Sequence, residues 1–472
     1  MADPVPLIIG SESVITSELF NVSNPATEQA AHQSSNANAG NAHAAVQAAA
    51  KAFESWKETT PQQRRAVFLK AAEILDRRSR ELRDYMVQET AADDNWVQFN
   101  LETSKEYLID CGGRIAACEG KIPALQNPSR GGFVLKEPYG VVLAMAPWNA
   151  PYVLGFRAVL WPLAAGNTVI LKGSELSPRT LWAVCSVLKE AGLPDGVLNY
   201  LTCETNNAPQ VTEAIIARDE VKKINFTGST RVGRIVAQLA ASHLKPVLLE
   251  LGGKSPAIVC YDANLDVAAK ECALGAFLHA GQICMSTERI IVHSSIYDEF
   301  VAKLRAWVDI LFPGTDNALV LIAALGADKN QALVRDALDK GASLAFGQLD
   351  AAELTRTRLR PLIVESVTPT MDIYGTESFG PTTSLIRFRE ENEAIIIAND
   401  TKHGLSSAVF SQDLRRALQI AKRIETGAVH INSMTVGDDV SLPHGGAKDS
   451  GFGRFGGSLD EWVRTKNVTY DV

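Results

Sequence analysis

The sequence predicts a multidomain α/β protein built on doubly wound parallel sheets. Three observations lead there. The 472 residues exceed what one hydrophobic core ordinarily serves, so two or three domains are expected. From Gly140 onward, short apolar runs recur that are continuous rather than alternating, the pattern of strands buried on both faces. Helical segments separate these runs, and alternating strands and helices build parallel sheets.

Residues 21 to 40, rich in Asn and Ser, read as an irregular surface entry. Thr60-Pro61-Gln62-Gln63 is a capping-box start with Pro at the first helical position. Val67, Ala71, Ile74, Leu75, Leu82 and Met86 continue it as an apolar stripe. Strands follow at Val141 to Ala146, Thr168 to Leu171, Val197 to Leu201, Ile224 to Phe226 and Val247 to Leu251. Between them, Ser177-Pro178 opens a helix that Gly192-Leu193-Pro194 stops. A second series begins after Glu250: strand Ala257 to Cys260, helix Asp266 to His279, strand Ile290 to His293, helix Tyr297 to Leu311, and further units through Ala428 to Asn432.

Composition excludes several functions. Hydrophobic residues at 46% and charged residues at 21% describe a globular protein. The longest apolar run, the eight residues from Ala318 to Leu325, falls short of the ~18 a membrane span needs. Met1 to Pro6 lack a basic region and a long apolar core, so a cytoplasmic location is expected. Seven cysteines without a C-x-x-C pair argue against a disulfide framework and a structural metal site. Net charge is -8 with no basic stripe, which disfavours nucleic acid as a partner.

Three residues stand out chemically. Cys284, after a Gly-Gln turn and before Met-Ser-Thr-Glu, suits exposure in a cleft, as a thiolate nucleophile requires. The other six cysteines, Cys111, Cys118, Cys185, Cys203, Cys260 and Cys272, lie in helix or strand patterns and read as inert. Glu250 closes an apolar strand before Gly252-Gly253, where a raised pKa would suit a general base. A solvent-facing strand-end Glu fits the same spacing. Asn149 follows Pro147-Trp148 at a strand's carboxyl end, where ligands sit in open α/β sheets. Its amide would suit an oxyanion, although a plain turn Asn is the ordinary reading. The Gly228-Ser229-Thr230-Arg231-Val232-Gly233 turn opens a helix whose N–H groups would face a phosphate, but there is no G-x-G-x-x-G after a first strand.

Six runs appear in one order: Pro147-Trp148-Asn149, Lys172-Gly173-Ser174-Glu175, Phe226 to Thr230, Leu249 to Lys254, Gly281 to Arg289, and Glu377-Ser378-Phe379-Gly380-Pro381. By these runs the chain resembles the aldehyde dehydrogenase superfamily from about Asn21 to its end. Asn225 to Val236, His243 to Lys254 and Gly281 to Val292 look most like its salicylaldehyde and vanillin branch. The resemblance implies the family fold: a Rossmann-like NAD-binding domain (1–120 and 139–249), an α/β catalytic domain (250–445) and a small β oligomerisation element (121–138 and 446–472). It implies a hairpin near 120 to 138 and a homodimer or homotetramer.

It also implies roles. Cys284 forms a thioester with an aldehyde, Glu250 activates the hydrolytic water, and Asn149 holds the oxyanion with the Cys284 N–H. NAD would be held by Trp148, Lys172, Glu175, Gly228, Ser229, Val232, Gly233, Glu377 and Phe379, with Glu175 disfavouring a 2'-phosphate. The family usually has Pro at Gly173, Phe at His444 and an acid at Arg231. The aldehyde tunnel would be lined by Trp96, Tyr152, Val153, Arg157, Ile283, Met285 and His444, with some of Met434 and Val436. Arg157 interrupts the apolar run Pro151 to Leu163, so it either bonds a protein carboxylate or reads a substrate oxygen. The implied substrate is a small aromatic aldehyde. A broad aliphatic or semialdehyde dehydrogenase is the alternative, and a non-catalytic binding protein of this fold is a third reading.

Overall fold

The computed structural model describes residues 3–313, 318–349 and 353–471. Eight strands form a first sheet, in spatial order Glu12–Val14, Leu7–Ile9, Leu198–Leu201, Thr168–Gly173, Val141–Ala146, Val221–Thr227, Val247–Glu250 and Gly451–Phe452. Its five central strands are parallel, and the antiparallel pairs lie towards its edges. Val141–Ala146 and Thr168–Gly173 are buried at every position, which explains their continuous apolarity.

A second sheet takes seven strands: Ser343–Phe346, Leu362–Glu365, Thr382–Phe388, Thr287–His293, Ser255–Val259, Ser406–Phe410 and Ala428–Ile431. All its pairings are parallel except that of Ser343–Phe346. The chain leaves the first sheet at Glu250 and enters the second at Ser255, with Leu251 to Lys254 between them. Strands Arg130–Pro138 and Val463–Asp471 form a separate nine-residue antiparallel ribbon.

Five local expectations are corrected. Residues 21 to 40 are not irregular: Leu19–Ser23 and Ala30–Ser35 form a hairpin, and a helix starts at Ala39 under an Asn38 cap. The hairpin hides its apolar face behind polar sequence, with Phe20 and Val22 alone turned strongly inward from its first strand. The stripe from Pro61 to Met86 is two helices, Pro61–Arg77 and Ser79–Thr90, parted at Arg78. The helix expected to reach His279 stops at Phe277, because His279 and Ala280 adopt left-handed backbone at φ +47 and +58. No hairpin lies at 120 to 138; Arg130–Pro138 pairs with the distant 463–471 strand, and Lys121 contributes one bridge to Val134. Finally, Gly451–Phe452 joins the first sheet beside Leu249 and Glu250 rather than the ribbon.

Candidate active site

Three neighbouring strands of the first sheet end at one edge, and each delivers a segment there. Val141–Ala146 leads to Trp148 and Asn149, Val221–Thr227 to Gly228 and Ser229, and Val247–Glu250 ends on Glu250 itself. A cavity of about 280 Å³ opens at this edge, lined by these residues with Cys284, Lys329, Glu377 and Phe379. Carboxyl ends of parallel strands are where such sheets bind ligands. Cys284 comes from the other sheet, in the turn between His279 and the strand Thr287–His293. The two sheets meet closely here: a Cβ on Gly253 would stand 2.3 Å from the Cys284 carbonyl oxygen, so only glycine fits.

The half-buried Cys284 thiol lies 3.3 Å from Glu250 Oε1 and donates to it. Burial and the Glu250 charge raise the thiol well above its ordinary range, so at rest the proton sits on sulfur. Asn149 Nδ2 donates to the Gln282 carbonyl at 2.9 Å, and Trp96 Nε1 donates to the Asn149 carbonyl at 2.9 Å. These two bonds fix the Asn149 amide beside the nucleophile's turn and leave its second N–H hydrogen for another acceptor.

Glu250 is fully buried, but its pKa moves opposite to the expectation from apolar company. Burial pushes the carboxyl up most strongly, yet Arg157 Nη2 at 2.7 Å from Oε2, His444 and the Cys284 thiol together outweigh it and hold the group at about 2. Arg157 donates equally to Asp438 Oδ2 at 3.0 Å and lies over the Phe455 ring at 5.2 Å. Burial alone would lower the guanidinium; Asp438 and Glu250 together raise it. Of the two readings open to Arg157, the structure shows the one in which it bonds protein carboxylates. Tyr107 OH completes the cluster, donating to Asp438 Oδ1 at 2.7 Å.

The expected dinucleotide residues fall into two places. Gly228, Ser229, Trp148, Glu377 and Phe379 line the central cavity. Glu377 Oε1 accepts from the Gly253 N–H at 2.9 Å, and burial followed by the Glu288 charge pushes its carboxyl up to about 7. Phe379 meets Trp148 edge-on at 5.9 Å. A second cavity of about 300 Å³ is lined by Glu175, Leu176, Glu204 and Thr205. Lys172 is buried at the end of its strand. Ser229 caps the helix Thr230–Ser242 by accepting from Val232 N–H, while Gly233 is buried against Leu251.

The expected tunnel residues divide. Ile283 and Met285 flank Cys284 and are buried in one apolar cluster with Trp96, Val153, Val436 and Phe455; Met434 packs against it half-buried. Trp96 stacks between Phe99 and His279, at 5.0 and 5.3 Å. Tyr152 is corrected: its hydroxyl donates to the Leu82 carbonyl at 2.7 Å, so the ring packs against the helical layer rather than lining the cleft. His444 Nε2 lies 3.7 Å from Glu250 Oε1 and its Nδ1 3.7 Å from Asp438 Oδ1.

Sequence reasoning missed Asp438, Tyr107 and His279. An arginine inside an apolar run demands an acid, and Asp438-Asp439 in the late loop was a signal for it. Nothing local marked Tyr107 or the left-handed His279. Among the described residues no His, Cys, Asp and Glu cluster is arranged to hold a metal ion.

The sequence matches the aldehyde dehydrogenase family over residues 13–468. It is 42% identical to a vanillin dehydrogenase of Pseudomonas fluorescens over 474 residues, covering 98% of this chain and 97% of that one. The structure is similar to a crystal structure of a salicylaldehyde dehydrogenase from Pseudomonas putida G7 complexed with salicylaldehyde, with TM-score 0.95, 39% identity and 99% and 98% of the two chains covered. It is also similar to an NADP-dependent glyceraldehyde-3-phosphate dehydrogenase of Bacillus halodurans C-125 complexed with NADP, with TM-score 0.93, 28% identity and 100% of both chains covered. The chain therefore belongs to the aldehyde dehydrogenase family.

Proposed function

We propose that the enzyme oxidises small aromatic aldehydes to carboxylic acids with NAD, through a thioester on Cys284. The observation that carries this reading is the 3.3 Å contact between the Cys284 thiol and Glu250 Oε1. Glu250 takes the thiol proton as the sulfur attacks the aldehyde carbon, because the ion pair with Arg157 keeps the carboxylate ionised throughout the neutral range. The second Asn149 N–H and the Cys284 N–H steady the oxyanion. After hydride loss leaves the acyl group on sulfur, Glu250 removes a proton from water, the water oxygen attacks the acyl carbon, and the C–S bond breaks.

The cleft fits a dinucleotide: its central cavity lies at the strand ends, and Glu175 and Glu204 line the outer one. Two carboxylates there accept ribose hydroxyls and repel a 2'-phosphate, which supports NAD over NADP. Bound in the cleft, NAD supplies the acceptor for the hydride. Trp96, Phe99 and His279 form an aromatic wall against Asn149, and the vanillin and salicylaldehyde relatives support the substrate class. NADH formation from salicylaldehyde, benzaldehyde, hexanal and succinic semialdehyde, with each dinucleotide, tests the reading. Highest kcat/KM for the aromatic pair with NAD is expected; preference for an aliphatic aldehyde, or equal use of NADP, would contradict it.

A further inference from the structure

A general base that keeps the proton it takes works once. Glu250 lines the cavity with no solvent-exposed surface of its own, and in the proposed reaction it collects the Cys284 proton before it is needed to deprotonate water. It must therefore unload between the two half-reactions. Its Oε2 is engaged by Arg157 Nη2 at 2.7 Å. Its Oε1 faces the Cys284 thiol at 3.3 Å and His444 Nε2 at 3.7 Å. The one oxygen left to carry a proton thus stands between the proton's source and an imidazole nitrogen.

That nitrogen is buried and has no hydrogen-bond partner, so its lone pair or N–H is uncommitted. His444 is also the most open member of the cluster: its side chain is 11% exposed, against 5% for Asp438, 2% for Arg157 and none for Glu250. Its position is set by the backbone, since the His444 N–H and C=O both pair with Phe455, at 2.7 and 2.8 Å. Imidazole is the side chain that takes and returns protons near neutral pH. A gap of 3.7 Å is closed by a small turn of the ring.

We propose that His444 unloads Glu250 in every turnover. The Glu250 Oε1–H bond breaks as an Nε2–H bond forms, which gives an imidazolium beside the Asp438 side chain. As the ring turns towards solvent the same Nε2–H bond breaks and the proton passes to water, which restores the starting tautomer for the next turnover, and neither oxidant nor reductant is required. Every group facing the ring suits this task. Glu250 and Asp438 flank it, Arg157 bonds both carboxylates, and Tyr107 donates to Asp438. Cys284 supplies the proton. His430 is the neighbour whose own charging is disfavoured, first by burial and then by charge on His444. Arg454 is turned aside onto the Gly446 and Gly453 carbonyls.

This inference rests on the thioester reading, and stopped-flow NADH measurements separate the two. Wild type and His444→Ala are mixed with NAD and benzaldehyde, with and without added imidazole. His444→Ala should keep a first-turnover burst, because acylation needs no unloading, and its steady-state rate should fall by at least about tenfold. Imidazole should restore that rate saturably while leaving the burst and the wild type unchanged. A purely structural role for His444 would not respond to a soluble base. A steady-state rate equal to wild type, or a lowered rate indifferent to imidazole, would overturn the proposal. If His444→Ala misfolds, His444→Asn retains polarity without a titrating nitrogen and must show the same burst and the same slow turnover. Absence of NADH from wild type with any aldehyde would instead overturn the thioester reading itself.

Discussion

Glu250 and Arg157 together decide how the residue-scale chemistry behaves. Arg157 sits between two buried carboxylates, so Arg157→Met leaves Glu250 and Asp438 unpaired, at a cost of about 3 to 5 kcal/mol. The expected outcome is a lowered melting temperature and a similar fall in kcat/KM for salicylaldehyde and benzaldehyde. A loss confined to salicylaldehyde would show that the guanidinium reads the ortho hydroxyl instead. Glu377 gives a pH test. Its carboxyl is raised from 4.5 to about 7, so its contribution to stability is fully present below about pH 4.5 and is lost as pH rises through about 7. Glu377→Gln should flatten the dependence of melting temperature on pH across that window; an unchanged slope would place the titration elsewhere. The sequence showed that Arg157 needed a partner, since an unpaired charge in an apolar run is costly. It did not show which, because Asp438 lies 281 residues away and Glu250 was expected to be raised rather than held near 2.

At the scale of elements, strands buried on both faces announced themselves, because burial on two sides leaves an uninterrupted apolar run. Elements whose pattern is set by distant partners did not. The Leu19–Ser23 hairpin is polar outside, and the Arg130–Pro138 strand finds its mate over 300 positions away. The turn that presents Cys284 was also hidden. His279 and Ala280 accept left-handed backbone without being glycine, which sequence pattern alone does not anticipate. That turn packs against the Gly252-Gly253 loop, so Gly253→Ala should push the Cys284 carbonyl and shift the nucleophile. A displacement approaching 1 Å costs roughly a hundredfold in rate. We expect kcat/KM for benzaldehyde to fall by at least about tenfold in a protein that still binds NAD, measured by fluorescence titration. Wild-type turnover in this variant would show that the loop yields freely.

Across the whole molecule, the first sheet supplies Asn149 and Glu250 and the second supplies Cys284, so the site exists only where the sheets meet. The ribbon stands apart from both and exposes Phe133, Leu135, Val468 and Tyr470. If this apolar face joins copies of the chain, light scattering should give the mass of a homodimer or homotetramer. Leu135→Lys with Val468→Lys should shift the enzyme towards monomer; an unchanged mass would place the interface elsewhere. In the proposed reaction Cys284 and Glu250, from different sheets, act in sequence on one thioester. Rapid mixing of Glu250→Gln with NAD and benzaldehyde separates the two steps. A first-turnover NADH phase slower than wild type is expected, because Gln accepts no proton from the Cys284 thiol, followed by still slower steady-state turnover, with acyl group trapped on the protein by acid quench. Steady-state turnover at the wild-type rate, or a first-turnover phase without trapped acyl group, would contradict that sequence of steps.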